Sequence, residues 1–381
     1  MESSDAVIVD AVRTPIGKRN GALAPWHPVD LASEVLTTLV TRTGIDPADV
    51  DDVMFGCVNQ LGDQSTNVGR MAALAAGFPE AVPGMTIDRA CGSSQQALHF
   101  AVATVLSGMA DLVIAGGVEM MSRVPLGSAR ATGMPYGPRV LARYQRESFS
   151  QGEGAEMLAE RYGLSRTALD EFSVRSHTLA AQATDAGAFA GQLVTLPDTP
   201  LTADEGIRRT STVETLAALK PAFREDGVIH AGNASQISDG AAALLVTTGE
   251  RARALGLTPL ARFHSGSVLG ADPVVMLGAP WPATHKVLAR AGLGIDDIGA
   301  FEINEAFASV PLAWLAETGA KPERLNPLGG AIAVGHPLGA SGAILMTRLL
   351  HHMRNHGIRY GLQSMCEAGG MANASIVELV A

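Results

Sequence analysis

Three short loops, far apart in the chain, carry residue types that together could perform acyl transfer on thioesters. The loops are residues 90–94 (Ala-Cys-Gly-Ser-Ser) with Cys91, residues 335–339 (Gly-His-Pro-Leu-Gly) with His336, and residues 366–370 (Cys-Glu-Ala-Gly-Gly) with Cys366. A thiolate attacks carbonyl carbon well, and an imidazole beside it can take its proton. A second thiol can carry a proton to or from the carbon that is formed or cleaved. The loops therefore suggest carbon–carbon bond chemistry.

The candidate nucleophile, Cys91, is predicted at a helix N-terminus. It follows a strand-like segment, residues 84–88, and precedes an Ala-rich helix that begins near Ser93. Free backbone N–H groups and the positive end of the helix dipole favour a thiolate at such a place. Taken alone, a buried cysteine that packs as a small hydrophobic residue is the more ordinary interpretation. Cys57 lies in no comparable loop and is predicted to be a core residue.

The other candidates occupy equally distinctive positions. His336 lies in the Gly-rich segment 329–342, whose glycines allow close approach of the backbone to another group, although a structural histidine also fits there. Cys366 follows an apolar run and is expected at a strand end. Asn304, at a strand-to-helix transition, could orient a water or donate to an oxyanion, and helix capping explains it equally well.

Composition indicates a globular α/β protein. The 381 residues are 47% hydrophobic and 17% charged, which is enough to bury a large core in two or three structural units. The 42 glycines, the few aromatic residues and the short Val/Ile/Ala runs favour buried strands over a helical bundle. A net charge of −10 argues against a nucleic-acid-binding surface.

Cysteine usage and hydropathy indicate the cellular context. Three cysteines form a sparse, odd set, which suits a reducing compartment better than a disulfide framework and predicts a cytoplasmic protein. No apolar run reaches about 18 residues, and no basic leader precedes the strand-like segment 6–9, so neither a membrane span nor a targeting peptide is expected. The cysteines lack ligand-like spacing, and His351 with His352 is expected at a solvated helix end, so no metal site is predicted.

The element pattern predicts a duplicated α/β fold. Helix-like segments are 29–43, 93–108, 281–291 and 338–354, and strand-like segments are 51–57, 111–116, 298–303, 361–366 and 374–380. The same spacing of 245 residues separates Asn59 from Asn304 and Cys91 from His336, which indicates a repeat, with chance similarity of two α/β halves as the alternative. We expect an N-terminal half over 1–120, completed by about 237–262, a loop or lid region that binds substrate over 121–236, and a C-terminal half over 263–381.

Together these stretches resemble the thiolase family over nearly the full length of the chain. The matching motifs are residues 9–18 (Val-Asp-Ala-Val-Arg-Thr-Pro-Ile-Gly-Lys), 91–94, 116–122 (Gly-Gly-Val-Glu-Met-Met-Ser), 304–307 (Asn-Glu-Ala-Phe), the His336 loop and the Cys366 loop. The resemblance implies a thiolase fold, with duplicated βαβαβαββ halves in a five-layer arrangement and an inserted loop domain. It also implies a homodimer, or a tetramer formed as a dimer of dimers.

The same resemblance implies the roles of the site residues. Cys91 would take the acyl group from a 3-oxoacyl-CoA while His336 activates it, and Cys366 would act as acid and base. Asn304 would hold a water that, with His336, stabilises the thioester enolate, and the backbone N–H groups of Cys91 and Ala368 would bind the other oxyanion. The implied activity is that of an acetyl-CoA C-acyltransferase, reversible as a Claisen condensation, with coenzyme A as substrate and no further cofactor.

Substrate contacts follow from the same source. Segment 231–235 (Ala-Gly-Asn-Ala-Ser) matches the family segment that contacts the pantetheine arm, which assigns Ser235 and Ala234 to it. Arg208 resembles the nucleotide-contacting arginine, and a solvated basic surface pair with Arg209 is the alternative. Glu153 stands where short-chain biosynthetic members have an apolar pocket, so a polar or bulky acyl group is expected, as in the steroid-degrading sub-group.

Two departures and three alternatives accompany this interpretation. Leu328 replaces the usual Asn of Asn-Gly-Gly, and Ala368 replaces the first glycine of the Cys366 loop. Within the family, an acetoacetyl-CoA-forming biosynthetic thiolase is the alternative. A ketosynthase-like condensing enzyme would share the fold, and Cys366 speaks against it. The two departures suggest a third alternative, a non-catalytic acyl-CoA-binding protein. The presence of Cys91, His336, Cys366 and Asn304 argues against it.

Overall fold

One ten-stranded mixed sheet runs through the computed structural model, which describes residues 5–131 and 133–380. The first part of the chain contains β1 (Ala6–Arg13), β2 (Gly17–Lys18), α1 (Pro28–Thr43), β3 (Asp52–Gly56), α2 (Val68–Ala75), β4 (Gly84–Ile87), α3 (Ser93–Leu106) and β5 (Leu112–Met120). Four helices follow: α4 (Pro138–Tyr144), α5 (Gln151–Arg161), α6 (Arg166–Asp185) and α7 (Val213–Ala217).

The remainder of the chain first completes the first half with β6 and α8, and then repeats its strand and helix pattern. It contains β6 (Ser238–Thr248), α8 (Gly249–Ala254), β7 (Ala261–Gly270), α9 (Pro280–Ala291), β8 (Ala300–Ile303), α10 (Ser309–Thr318), α11 (Ala331–Val334), α12 (Ser341–His356), β9 (Tyr360–Glu367) and β10 (Met371–Leu379). Short 3-10 helices cover Pro47–Asp49, Gly62–Gln64, Ser128–Arg130, Ile295–Asp297, Pro322–Arg324 and Leu338–Ala340. The predicted strands and helices are confirmed, with ends that shift by a few residues. One exception is 338–354, which divides into a 3-10 turn and α12.

The strand order shows the duplication. The strands lie in the order β4-β3-β5-β6-β1-β7-β10-β9-β8, with β2 beside β6. The strand β3 pairs in parallel with β4 and β5, and β8 pairs in parallel with β9. An isolated parallel bridge joins Phe301 of β8 to Leu325. This bridge lies beside β8 in the position that β4 has beside β3. The halves join where β1 meets β7.

Two helices, α3 and α12, form the layer between the two halves of the sheet. Their small apolar side chains share one buried cluster with residues of β1, β5, β6 and β10. Gly342 permits this close contact, because a Cβ there would stand 2.3 Å from the backbone nitrogen of Gln95. On the outer faces, α1 and α2 cover the first half, and α9 and α10 cover the second. The layers therefore alternate helix, sheet, helix, sheet, helix.

The expectation for His351 is wrong. His351 is buried inside α12, and its Nε2 lies 3.1 Å from the carbonyl oxygen of Ala11 on β1. The helix continues to His356, so His351 faces the sheet rather than solvent. Among the helices of the described residues, none is long and apolar enough to cross a membrane.

Candidate active site

Cys91 lies in a sharp turn between β4 and α3. Ala90 has a left-handed φ of 46°, which redirects the chain just before the thiol. The Ser93 hydroxyl donates to the carbonyl of Ala90 at 2.6 Å and accepts from the N–H of Arg89 at 2.9 Å. Gly92 caps the helix without a side chain. The turn therefore holds Cys91 at the helix N-terminus, with only 3% of its surface exposed.

Burial reverses the expected effect of this position on Cys91. Its pKa is raised well above the ordinary value, first by burial and then by the charges of Cys366 and Glu367. The helix-terminus argument predicted a stabilised thiolate, and desolvation outweighs it. Cys366 lies near the end of β9 and is 1% exposed, and burial raises its pKa to about 12. Both thiols are therefore protonated at rest and need a base before either can react.

The candidate base, His336, lies in the loop between α11 and α12. The Nδ1 of His336 lies 2.6 Å from the Ser341 hydroxyl oxygen, and this hydroxyl donates its proton to the carbonyl of Pro337 at 2.9 Å. A hydroxyl has one proton, so the Ser341 oxygen accepts from Nδ1–H, and Nε2 keeps a free lone pair. Burial lowers the pKa of His336 to about 4. The imidazole is therefore neutral at neutral pH and presents Nε2 as an acceptor.

Asn304 faces that acceptor. Its Nδ2 lies 3.4 Å from Nε2 of His336, and its Oδ1 has no hydrogen-bond partner among the described residues. Asn304 caps no helix, because α10 begins only at Ser309 with Ala308 as its N-cap. The capping explanation therefore fails. A buried amide oxygen that is free to accept can hold a water or a substrate proton donor.

Glu119, which the sequence analysis did not single out, fixes the loops around this pair. Its carboxylate accepts the N–H of Gly339 at 2.8 Å, of Val58 at 2.9 Å and of Asn59 at 3.1 Å. One buried carboxyl group thus connects the loop after His336 with the loop after β3. The sequence signal that could have identified Glu119 is its position in the motif 116–122, near the end of a buried strand.

The Cys366 loop tolerates Ala368. The φ of Ala368 is not positive, whereas Gly369 and Gly370 have φ of 88° and 76°. The two positions that need left-handed backbone are therefore the two that remain glycine. Leu328 also has a place, because it packs against Ala183 and Phe189. An apolar contact there replaces the polar brace that the resemblance implied.

The segment predicted to contact coenzyme A lies against the Asn304 motif. Ser235 donates its backbone N–H to the carbonyl of Ala306 at 2.9 Å, and Ala234 forms a bridge with Phe307. Both residues are partly exposed, as a ligand contact requires. The structure therefore brings Ser235, Ala234 and the Asn304 motif together.

Arg208 stands in an exposed loop whose backbone is tied to the same region. The Gln236 amide donates to the carbonyl of Gly206 at 2.9 Å, and the backbone N–H of Arg208 donates to Nδ1 of His177 at 3.0 Å. Arg209 forms an ion pair with Asp185 at 2.7 Å. Both arginines are exposed, so a solvated basic pair stays the alternative to a nucleotide contact for Arg208.

Glu153 lies outside the cluster of thiols. Its carboxylate accepts from Nε of Arg224 at 3.0 Å. It lines a cavity of about 390 Å³ together with the apolar Phe149, Met157 and Val274, and none of the three candidate reacting residues lines that cavity. The cavity approaches the Cys366 loop through the segment 272–274, since a Cβ on Gly370 would stand 2.7 Å from the carbonyl oxygen of Asp272.

Comparisons with known proteins agree with this architecture. Residues 6–250 match the family model described as thiolase, N-terminal domain, and residues 257–379 match that described as thiolase, C-terminal domain. The chain belongs to the thiolase family. The steroid 3-ketoacyl-CoA thiolase FadA6 of Mycobacterium tuberculosis is 48% identical over 385 residues, covering 98% of this chain and 94% of that one.

Two further relatives extend the match. A 3-ketoacyl-CoA thiolase of Erwinia tasmaniensis is 43% identical, covering 98% of this chain and 99% of the relative. The crystal structure of the Bacillus anthracis acetyl-CoA acetyltransferase superposes with a TM-score of 0.90 at 40% identity, covering 99% of both chains. The protein is therefore an acyltransferase of the thiolase family.

In this thiolase both halves contribute to the candidate site. Cys91 comes from the first half, while Asn304, His336 and Cys366 come from the second. Within residues 5–131 and 133–380, no group of three or more His, Cys, Asp or Glu side chains is placed to hold a metal ion.

Proposed function

We propose that this thiolase cleaves 3-oxoacyl-CoA with free CoA to acetyl-CoA and a shortened acyl-CoA, through an acyl group on Cys91, and that the reaction also runs in reverse as a condensation. The observation that carries the proposal is the neutral His336, whose Nε2 lone pair is oriented by Ser341 and faced by Asn304. The names of the relatives in Mycobacterium tuberculosis and Erwinia tasmaniensis, both 3-ketoacyl-CoA thiolases, support the substrate class.

The first half-reaction forms the acyl-enzyme. His336 takes the proton of Cys91, and the thiolate sulfur attacks the 3-oxo carbon of the substrate. The backbone N–H groups of Cys91 and Ala368 stabilise the oxyanion. The bond between C2 and C3 breaks, and its electron pair forms the enolate of acetyl-CoA, which His336 and a water on Asn304 stabilise. Cys366 donates its proton to C2, and acetyl-CoA leaves.

The second half-reaction transfers the acyl group. The Cys366 thiolate takes the proton of the incoming CoA thiol, and the CoA sulfur attacks the acyl carbon. The bond to Cys91 breaks, and the departing sulfur recovers a proton from His336. Both thiols are protonated again, so the cycle closes without a net change in the enzyme. Ser235 and Ala234 contact the pantetheine arm in this proposal, and Arg208 contacts the nucleotide part of CoA.

We propose a bulky or polar acyl group as the preferred substrate, with Glu153 in contact with it. The cavity of about 390 Å³ beside Glu153 combines apolar Phe149, Met157 and Val274 with charged Arg146 and Glu147. Such a mixed lining suits a ring-bearing acyl group with polar substituents better than an acetyl group. The printed name of the relative that is 48% identical, a steroid thiolase, supports the same class.

The test is CoA-dependent cleavage of a 3-oxoacyl-CoA panel that ranges from acetoacetyl to long-chain and ring-bearing groups. Cys91→Ala should abolish cleavage, and the matched variant Cys57→Ala, which removes another buried thiol, should retain it. Preference for bulky groups is expected. A preference for acetoacetyl-CoA would overturn the substrate class and favour the biosynthetic alternative, and no cleavage of any member would overturn the proposed reaction.

We also propose a homodimer formed through β4, or a tetramer made of two such dimers. The strand β4 is an edge of the sheet, and it carries the exposed Met85, with the exposed Leu74 on the contacting helix α2. An open edge strand with apolar side chains is a template for pairing with a second copy. Analytical ultracentrifugation should give at least twice the mass of one chain, and Met85→Lys should shift it towards one chain. A monomeric wild type would contradict the proposal.

The predicted division of the chain and its location stay proposals. We propose two thiolase halves, 1–120 completed by about 237–262, and 263–381, with 121–236 as the loop and CoA-binding domain. Four helices between β5 and β6 support an inserted region. The cytoplasm is the proposed location, supported by three buried cysteines in the free thiol form.

A further inference from the structure

Glu367 occupies an unusual place between the two thiol-bearing loops. It directly follows Cys366, ends β9 and is 0% exposed. Its carboxyl group reaches across to the Cys91 turn, because a Cβ on Gly92 would stand only 2.0 Å from the Oε1 of Glu367. Gly92 therefore leaves the space that this carboxyl group fills, immediately beside the nucleophile.

The carboxyl group is buried without the partners that a buried charge needs. Neither of its oxygens has a hydrogen-bond partner among the described residues. Arg89, in the turn before Cys91, faces the Glu367 carboxyl group from the first half of the chain. Arg89 and Glu367 form no ion pair within 4.0 Å. The Nε of Arg89 also lacks a hydrogen-bond partner among the described residues. From the second half, Cys366 and the backbone N–H of Asn373 face it.

These surroundings favour the neutral acid. Transfer of an ionised carboxylate from water to a site without hydrogen bonds is costly, so such groups take up a proton instead. Burial raises the pKa of Glu367 to about 8, and the opposing attraction of Arg89 and of the Asn373 N–H is smaller. Once Glu367 ionises, its charge raises the pKa of both Cys91 and Cys366. The state of this one carboxyl group therefore influences both thiols.

We propose that Glu367 is a positioning residue for the two thiols: as a buried neutral acid it permits the Cys91 thiolate to form, and its ionisation suppresses acylation of Cys91. The inference deepens the proposed function and rests on it, since it concerns the same acyl-enzyme. Glu367 acts through the thiols and does not touch the acyl group. No proton leaves or enters the reaction through it, so the two half-reactions balance as before.

The test measures acylation of Cys91 by the preferred 3-oxoacyl-CoA without free CoA, followed by rapid quench and mass spectrometry, from pH 6.5 to pH 9. Glu367→Gln keeps the shape and removes the ionisation. The ratio of the Glu367→Gln rate to the wild-type rate should rise about tenfold between these pH values, the effect of one pKa unit on the thiol. A structural loss of activity would lower the ratio equally at every pH. A ratio that stays constant overturns the inference.

Two further variants make the result specific. Glu378→Gln is the matched control, because Glu378 lies on β10 of the same hairpin, paired with Arg262 and Arg359 away from the thiols. Its rate ratio should not change with pH. Glu367→Leu is a second neutral variant, which should repeat the rise seen with Gln, and it tests the inference if the Gln variant does not fold.

The outcomes for the proposed function and for this inference differ. Wild type that is never acylated on Cys91 overturns the proposed function and this inference together, whereas normal acylation with a constant ratio overturns this inference alone.

Discussion

At the scale of single residues, His336 shows how burial and hydrogen bonding leave an imidazole neutral and able to accept a proton. The ring is buried, which disfavours the imidazolium, and a chain of two hydrogen bonds through Ser341 to the Pro337 carbonyl leaves the proton on Nδ1. The lone pair on Nε2 is then directed at Asn304. The tautomer follows from the single proton of a hydroxyl.

Replacement of Ser341 by alanine should therefore weaken catalysis more than binding. The Nδ1–H would lose its acceptor, and the ring would no longer be held in one tautomer. We expect kcat to fall about tenfold or more, a part of the roughly 10² to 10⁴ that a positioned base supplies, with little change in KM. Steady-state kinetics with the preferred 3-oxoacyl-CoA measures this effect.

The matched control is Ser33→Ala, which removes a buried hydroxyl on α1 that, among the described residues, bonds only to the carbonyl of Asp30 in its own helix. It should leave kcat unchanged. A Ser341→Ala enzyme with kcat within twofold of wild type would show that the hydroxyl does not orient the base.

At the scale of elements, the turn between β9 and β10 shows which glycines the backbone needs. Gly370 has φ of 76°, and a Cβ there would meet the carbonyl oxygen of Asp272 at 2.7 Å. Ala368 has no such constraint, because its φ is not in the left-handed region. The replacement of the usual first glycine by Ala368 is thus compatible with the turn.

Substitutions at these two positions should both destabilise the fold, but by different amounts. Gly370→Ala combines a disfavoured φ with a backbone clash and should lower the free energy of unfolding by about 1 to 3 kcal/mol. Ala368→Gly adds freedom to the unfolded chain only and should cost less than about 1 kcal/mol. Urea unfolding of both variants checks this. Equal losses at the two positions would contradict the assignment of strain to Gly370.

At the scale of the whole molecule, buried histidines link stability to pH. Burial lowers the pKa of His177, His336 and His351 to about 4, from an ordinary value of 6.5. Below pH 6.5 the unfolded chain binds protons that the folded chain does not, so these residues destabilise the fold as the pH falls towards 4. Buried Glu302 and Glu367, whose pKa values rise to about 7 and about 8, act in the opposite direction at higher pH.

A histidine variant separates these contributions. His351→Gln removes one buried imidazole, so the stability of wild type relative to this variant should fall by up to about 1.4 kcal/mol per pH unit between pH 6 and pH 4.5. The control, His285→Gln, alters an exposed residue of α9 and should show no such trend. Urea midpoints at several pH values measure both. A stability difference for His351→Gln that does not depend on pH would mean that the imidazole is not held neutral in the fold.

The sequence alone determined the secondary structure, the duplicated fold and the family. Hydrophobic periods mark strands and helices locally, as in α1 and β3, and the glycines around His336 and after Cys366 are required by local backbone geometry. The same motifs indicated Cys91, His336, Cys366 and Asn304 as site candidates, because these residue types stand where strands end and helices begin. Such signals need no knowledge of distant contacts.

Only the tertiary structure decided the electrostatic state of the site. The helix N-terminus favoured a thiolate at Cys91, but the packing of the two halves buries the thiol and raises its pKa instead. Glu367 contacts Gly92, and Glu119 accepts a hydrogen bond from the N–H of Gly339. Both contacts join residues that are more than 200 positions apart in the sequence. Desolvation depends on every element that packs around a group, so no local pattern in the sequence can supply it.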